Sequence, residues 1–225
     1  MSKNVIIVAG GQGSRMGALI PKQFLILDGK PVLMHTISRF FQYDSEINII
    51  LVLPASQINY WNELCATYNF HLPHKIAEGG ATRFASVKNG LAMIDSEGLT
   101  AVHDGVRPFV SIETIAKCFD AAALNGSAIP VIKPVESIRR VCDNKNCTCI
   151  RDEFRMVQTP QVFDTSLLKK GYKQPYNELF TDDASVIETM GNIIHLVEGN
   201  RENIKITSPL DLVFGEAVLK LTMEN

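Results

Sequence analysis

Apolar residues run along this chain in two rhythms. Residues 4–9, 47–53, 75–78, 100–103 and 127–132 are short, mostly continuous apolar runs, the pattern of strands covered on both faces. Between them, residues 31–41, 55–68, 82–94 and 112–124 repeat apolar side chains every three or four positions. That spacing predicts helices, with Thr82 and Ser111 standing where N-caps belong. Strand and helix alternating in this way predict an α/β domain, its sheet mostly parallel and wrapped on both faces.

The alternation fails after residue 132. Residues 134–150 are rich in charge, and Asp143-Asn144-Lys145-Asn146 is a turn signal between two short strand-like pieces. A projecting β-hairpin arm over residues 136–150 is expected. A strand at 155–158, helices from Thr165 and Asp182, a strand at 193–197 and a helix at 209–221 complete a single domain over residues 1–225. No internal repeat or low-complexity segment interrupts it.

Composition narrows the function. The chain has 225 residues with a formal net charge of −2, which gives no long-range attraction for nucleic acid or an anionic membrane. An anionic ligand must then meet locally placed cations in a pocket. The apolar runs fall well short of the roughly 20 residues of a membrane helix, and the start of the chain lacks the pattern of a secretion signal. A cytoplasmic protein with no membrane span is expected. Cys142, Cys147 and Cys149 form a C-x4-C-x-C cluster without a neighbouring fourth ligand, so an exposed turn is favoured over a zinc site. His71 and His74 lack a helix to align them and a third ligand, and His35 reads as a packing residue. His103 either orients its neighbour Asp104 or is a satisfied core residue.

The chemistry concentrates after the first strand, in Gly10-Gly11-Gln12-Gly13-Ser14-Arg15-Met16-Gly17 and Pro21-Lys22-Gln23. Glycines let backbone N–H groups approach a ligand, and the two cations suit a polyphosphate. A dinucleotide fingerprint fails because the third glycine comes one residue late and the second strand ends in Leu53-Pro54. A Walker A loop fails because Lys22 follows Pro21. Asp104 directly follows an apolar strand, where it either holds a metal ion or caps a turn and pairs with Arg107. Thr181, Asp182 and Asp183 read first as a helix cap with an acidic first turn.

The loop with Arg15 and Lys22 resembles the signature of sugar nucleotidyltransferases, and thus a Rossmann-like nucleotidyltransferase domain. Further segments sharpen the likeness: residues 79–87 (GGATRFASV), 103–108 (HDGVRP), 159–161 (TPQ), 181–184 (TDDA) and 198–207. In this order and over nearly the whole chain, they resemble the 2-C-methyl-D-erythritol 4-phosphate cytidylyltransferase family of isoprenoid precursor synthesis. The resemblance implies transfer of CMP from CTP to 2-C-methyl-D-erythritol 4-phosphate, giving 4-diphosphocytidyl-2-C-methyl-D-erythritol and pyrophosphate. Ribitol 5-phosphate is the rival acceptor, and a nucleotide-binding relative without turnover is the other alternative.

By the same resemblance, Arg15, Lys22 and Lys205 are catalytic cations. Ala9, Gly10, Gly11 and Gly13 border the nucleotide, as do Gly79, Gly80, Arg83 and Ser86. Ser137, Arg151 and Lys205 surround the acceptor phosphate, Asp104 holds Mg2+, and the arm builds a homodimer. Ala81 stands where many relatives have aspartate, Gly105-Val106 where Ala-Ala is common, and Ser137 where threonine is usual.

Overall fold

Residues 1–10, 20–143 and 145–223 are described by the computed structural model, with side chains as far as Leu221. Arg15, Gly11 and Gly13, named above for the triphosphate, lie outside them. The chain opens with β1 (Lys3–Val8), then a two-residue-per-strand hairpin of β2 (Ile26–Leu27) and β3 (Lys30–Pro31). α1 (Val32–Tyr43), β4 (Asn48–Leu53), α2 (Ala55–Thr67), β5 (Lys75–Glu78), α3 (Arg83–Leu91) and β6 (Leu99–Asp104) continue the alternation. α4 (Ile112–Asn125) and β7 (Ser127–Ile132) close the regular part.

After β7 come the arm strands β8 (Arg139–Cys142) and β9 (Lys145–Thr148), then β10 (Met156–Val157) and β11 (Gln161–Asp164). α5 (Thr165–Gly171), α6 (Asp183–Glu188), β12 (Leu196–Glu198) and α7 (Pro209–Met223) follow. The main sheet runs β10-β7-β11-β6-β1-β4-β5, with β12 on β7. β1 pairs in parallel with β4 and β6, and β4 with β5, while β11 is antiparallel between β6 and β7. Besides the short β2–β3 hairpin, β11 is the one strand that the apolar pattern did not predict. It is four residues long, follows Pro160 and ends at Asp164, the N-cap of α5.

Side chains alternate across this sheet as the period of two requires. Val5, Ile7, Ile49 and Leu51 pack with Ile37, Phe40, Ile115 and Phe119 of α1 and α4. Ile6, Ile50, Val52 and Val102 pack on the other face with Val87, Leu168 and Ile187 of α3, α5 and α6. Each fully buried aliphatic side chain contributes about 1.5–3 kcal/mol, so both faces hold the strand ends in fixed places. α4 begins where Ser111 Oγ accepts from Thr114 N–H at 3.0 Å and ends at Gly126, whose φ of 80° suits glycine. Among the described residues no helix is long and apolar enough to cross a membrane.

Two further features position the site. Trp61 of α2, fully buried, stacks on Phe24 with ring centroids 6.2 Å apart and so anchors the Lys22–Phe24 turn. Trp61 Nε1–H donates to His74 Nε2 at 3.0 Å, which commits that histidine to packing. The arm, by contrast, is a separate two-stranded sheet, exposed at every strand residue. The Arg140↔Cys147 and Cys142↔Lys145 register puts Cys142 and Cys147 on one face of it. Among the described residues no group of three or more His, Cys, Asp or Glu is arranged to hold a metal ion.

Candidate active site

The carboxyl ends of β1 and β6 and the start of α3 border a cavity of about 260 Å³, at the sheet edge where ligands of open α/β folds bind. Ala9 and Gly10 after β1, Gly80, Arg83 and Ser86 around α3, and Asp104 at the end of β6 line it. Lys22, Gln23 and Lys205 line it as well.

Asp104, only 8% exposed, gathers three cations. Its Oδ2 lies 3.1 Å from Lys205 Nζ and 3.1 Å from Arg107 Nε, and its Oδ1 lies 4.0 Å from Arg83 Nε. Burial pushes the carboxyl up, but the charges of Lys205, Arg83 and Arg107 outweigh it and hold the group well below the usual carboxylate range. Asp104 thus makes the expected pair with Arg107, and it also lines the cavity.

Lys205 reaches Asp104 because its segment is lashed to the turn after β6. Ile206 N–H donates to the Val106 carbonyl at 2.9 Å, and Arg107 Nη1 to the Asn203 carbonyl at 2.8 Å. Asn203, fully buried, donates to the Thr159 carbonyl at 2.8 Å. Gly105 fits this turn tightly. A Cβ there would stand 2.9 Å from Ala9 Cβ and 3.1 Å from Leu33 Cδ1, so an alanine at this position would require these neighbours to shift.

His103 is fully buried beside Asp104, and its tautomer follows from its partners. The Arg107 carbonyl, 3.1 Å from Nε2, can only accept, so Nε2 carries the proton. Nδ1 then accepts from the Thr159 hydroxyl at 3.0 Å, and Thr159 Oγ1 accepts from Asp104 N–H at 3.1 Å. Burial lowers the imidazole pKa to about 4, which keeps the ring neutral. His103 is thus a satisfied core residue, linked through Thr159 to the backbone N–H of Asp104.

Arg83 is set by α6. Its Nη1 and Nη2 bond Asp183 Oδ1 and Oδ2 at 2.9 and 2.6 Å, a forked pair with a carboxylate that is fully buried. Tyr172 O–H donates to the same Oδ1 at 2.6 Å. The Thr181–Asp183 motif thus divides its work. Asp182 is the N-cap, in a reciprocal capping box with Ser185, and Asp183 fixes Arg83.

The glycine turn before α3 is close-packed. A Cβ at Gly80 would stand 2.5 Å from Ala85 Cβ, and Gly79 N–H donates to the Leu53 carbonyl at 2.8 Å. Ser86 Oγ accepts from Gly80 N–H at 3.1 Å and donates to the Thr82 carbonyl at 2.9 Å, so it braces the turn. Gln23, 1% exposed, donates from Nε2 to the Ala9 carbonyl at 2.8 Å and to Gln57 Oε1 at 2.7 Å. Its own Oε1 is buried without a hydrogen-bond partner among the described residues, an arrangement that costs about 1–3 kcal/mol.

Of the acceptor-phosphate residues, only Lys205 lines the cavity. Ser137 and Arg151 are exposed at the base of the arm, where Arg151 Nη1 donates to the Val135 carbonyl at 2.6 Å. Sequence reasoning did not assign Gln23, Thr159 or Asp183 to the site. Each lay inside a quoted motif, so position along the chain was legible while the contact was not.

A glycine-walled pocket at the carboxyl edge of a mostly parallel sheet, with cations grouped on one carboxylate, belongs to the nucleotidyltransferase class of α/β fold. The structure of 4-diphosphocytidyl-2C-methyl-D-erythritol synthase from Anaerococcus prevotii matches with a TM-score of 0.83 and 29% identity, covering 97% of this chain and 96% of that one. The 2-C-methyl-D-erythritol 4-phosphate cytidylyltransferase from Thermus thermophilus matches with a TM-score of 0.79 and 32% identity, covering 98% and 100%. A relative of the latter name from Phocaeicola vulgatus is 57% identical over 219 residues, 97% of this chain and all of its own length. The family model of 2-C-methyl-D-erythritol 4-phosphate cytidylyltransferase matches residues 4–221, and the chain belongs to that family.

Proposed function

We propose that this enzyme transfers CMP from CTP to 2-C-methyl-D-erythritol 4-phosphate, releasing pyrophosphate, in isoprenoid precursor synthesis. A phosphate oxygen of the acceptor attacks the α-phosphorus, a new P–O bond forms, and the bond to the β-phosphate breaks. One observation carries this reading. The described cavity is rich in cations, yet its Asp104 is too acidic to take a proton near neutral pH and the adjoining His103 is neutral, buried and spent. Such a site suits a nucleophile that is already ionised, as a phosphate is. Catalysis then rests on positioning and on charge stabilisation.

In this scheme Lys22 and Arg15 face the triphosphate and Lys205 meets the acceptor phosphate. Gly79, Gly80, Arg83 and Ser86, with Ala9, Gly10, Gly11 and Gly13, border the nucleotide. Mg2+ fits the donor set: Asp104 offers carboxylate oxygens, and magnesium is commonly held by one or two carboxylates plus substrate phosphates. Because Lys205 and Arg107 already share Oδ2, the ion arrives with the nucleotide. When bound it neutralises phosphate charge. Ser137 and Arg151 complete the acceptor site of a second copy, which makes the working unit a homodimer. The exposed arm, and the absence of Ser137 and Arg151 from the described cavity lining, support this reading.

The test is pyrophosphate release from CTP and Mg2+ with methylerythritol 4-phosphate and ribitol 5-phosphate side by side. Turnover favouring the first is expected; turnover with neither would sink the reading.

A further inference from the structure

We infer that Asn203 is a positioning residue, fixing Lys205 relative to Asp104 at the place where the lysine meets the acceptor phosphate. This rests on the proposed role of Lys205. Asn203 is fully buried, two residues before a lysine whose side chain is 43% exposed. Its Nδ2 donates to the Thr159 carbonyl at 2.8 Å, and its own carbonyl accepts from Arg107 Nη1 at 2.8 Å. Those two residues hold Asp104 from opposite ends. Thr159 Oγ1 accepts from the Asp104 backbone N–H at 3.1 Å, and Arg107 Nε meets the carboxylate Oδ2 at 3.1 Å. One asparagine thus ties the strand end that presents Asp104 to the segment that presents Lys205.

An amide is what this place requires. Turning it would set Oδ1 against the Thr159 carbonyl, acceptor against acceptor. In the orientation it holds, Oδ1 is buried without a hydrogen-bond partner among the described residues, so packing alone does not account for a polar side chain here. The donor to Thr159 does.

Asn200, three residues earlier in the same loop, supplies a contrast. Its Oδ1 accepts from Ser111 N–H and from the Thr114 hydroxyl, both at 3.1 Å, and its Nδ2 donates to the Phe109 carbonyl at 3.0 Å. It braces the start of α4, and none of these partners lines the described cavity. The nucleotide side of the cavity is mounted elsewhere as well: Arg83 on Asp183, and the Lys22 turn on Trp61. Loosening Asn203 should therefore be felt by the acceptor and not by the nucleotide.

The experiment measures binding by calorimetry on the whole protein with Mg2+. The α,β-methylene analogue of CTP is titrated first and then, with that analogue saturating, methylerythritol 4-phosphate, so no turnover is needed. In Asn203→Ala the acceptor affinity should fall about tenfold or more, the worth of one misplaced charge-assisted contact, while the analogue binds within about threefold of wild type. Asn200→Ala should lower the melting temperature too, yet leave both affinities in place. Lys205→Ala should weaken the acceptor, and adding Asn203→Ala to it should cost nothing more, because the two act through one group.

Unchanged acceptor affinity in folded Asn203→Ala would overturn the inference. An equal loss in Asn200→Ala, or losses that multiply in the double variant, would reduce Asn203 to a structural role and overturn it as well. A wild-type protein that binds the analogue and ribitol 5-phosphate but not methylerythritol 4-phosphate would overturn the proposed acceptor instead, and the same series is then read with ribitol 5-phosphate. Should Asn203→Ala fail to fold, the side-chain amide signals of Asn203 and Asn200 in wild-type protein are followed by NMR as acceptor is added. A shift at Asn203 that Asn200 does not share supports the inference, and no such difference overturns it.

Discussion

Two arginines proposed to border the substrates, Arg83 at the nucleotide and Arg151 at the acceptor phosphate, sit in opposite surroundings. Arg83, on the wall shared by α3 and α6, is forked on the fully buried Asp183, which Tyr172 braces in turn. Arg151, at the base of the arm, is exposed and bonds one backbone carbonyl. The wall is organised by its own chain before any ligand arrives. Among the described residues the arm is a separate two-stranded sheet, and its cation is held by that one bond. The difference separates a residue whose loss damages folding from one whose loss damages only the reaction.

The largest effect expected from breaking this contrast is that of Asp183→Ala. Removing one member of a buried pair leaves the other uncompensated, and because Arg83 is about one-third exposed the cost should fall at the low end, about 3 kcal/mol. Denaturant unfolding would show it, with a fall in kcat alongside. Arg151→Ala should change stability by less than about 0.5 kcal/mol. Equal destabilisation by the two variants would erase the distinction.

The pocket side is sharpened by pH. His103 has its pKa lowered to about 4 in the folded protein by burial, against roughly 6.5 when unfolded. Its contribution is fully present above pH 6.5 and is lost as pH falls through about 4, because the unfolded chain takes up the proton first. A loss of up to about 3 kcal/mol across that window is expected. His103→Gln should flatten it, and an unchanged slope would count against the burial argument. His35 and His74, also lowered by burial, act in the same direction and supply the residual slope.

The arm side is sharpened by mixing. Lys22→Ala and Arg151→Ala should each lose on the order of 100-fold in turnover, as removal of one transition-state donor does. If Arg151 serves the partner's site, mixed dimers carry one doubly defective and one intact site, and about a quarter of all sites recover on random exchange. Turnover no higher than the mean of the two separate variants would return Arg151 to its own chain. The smallest effect is expected from joint replacement of Cys142, Cys147 and Cys149 by serine. It should leave activity intact and the melting temperature within about 2 °C, and stoichiometric zinc lost in the triple variant would contradict it.

How much of this could be read from the sequence follows the range of the forces involved. Strands and helices with a clear period were legible to within a few residues, from the Lys3–Val8 strand to the α7 helix. Glycine turns and Asp104 were legible because their chemistry is local. The four-residue β11 strand was not, since it is too short to show a period beside a proline and a cap. Arg83 and Asp183 stand 100 residues apart, and no local pattern announces that one will hold the other. Gln23 escaped for a related reason: a buried amide in a turn has no signature until its two acceptors and its empty carbonyl are seen.

The stack of Trp61 on Phe24 has a practical consequence. The chain contains a single tryptophan, and that indole rests on the turn that carries Lys22 and Gln23. The molecule therefore has an optical probe built into the support of its proposed nucleotide site, with no second tryptophan to confuse the signal. Ultraviolet emission from this one residue can follow arrival of a nucleotide in real time, without a label and before any bond is made.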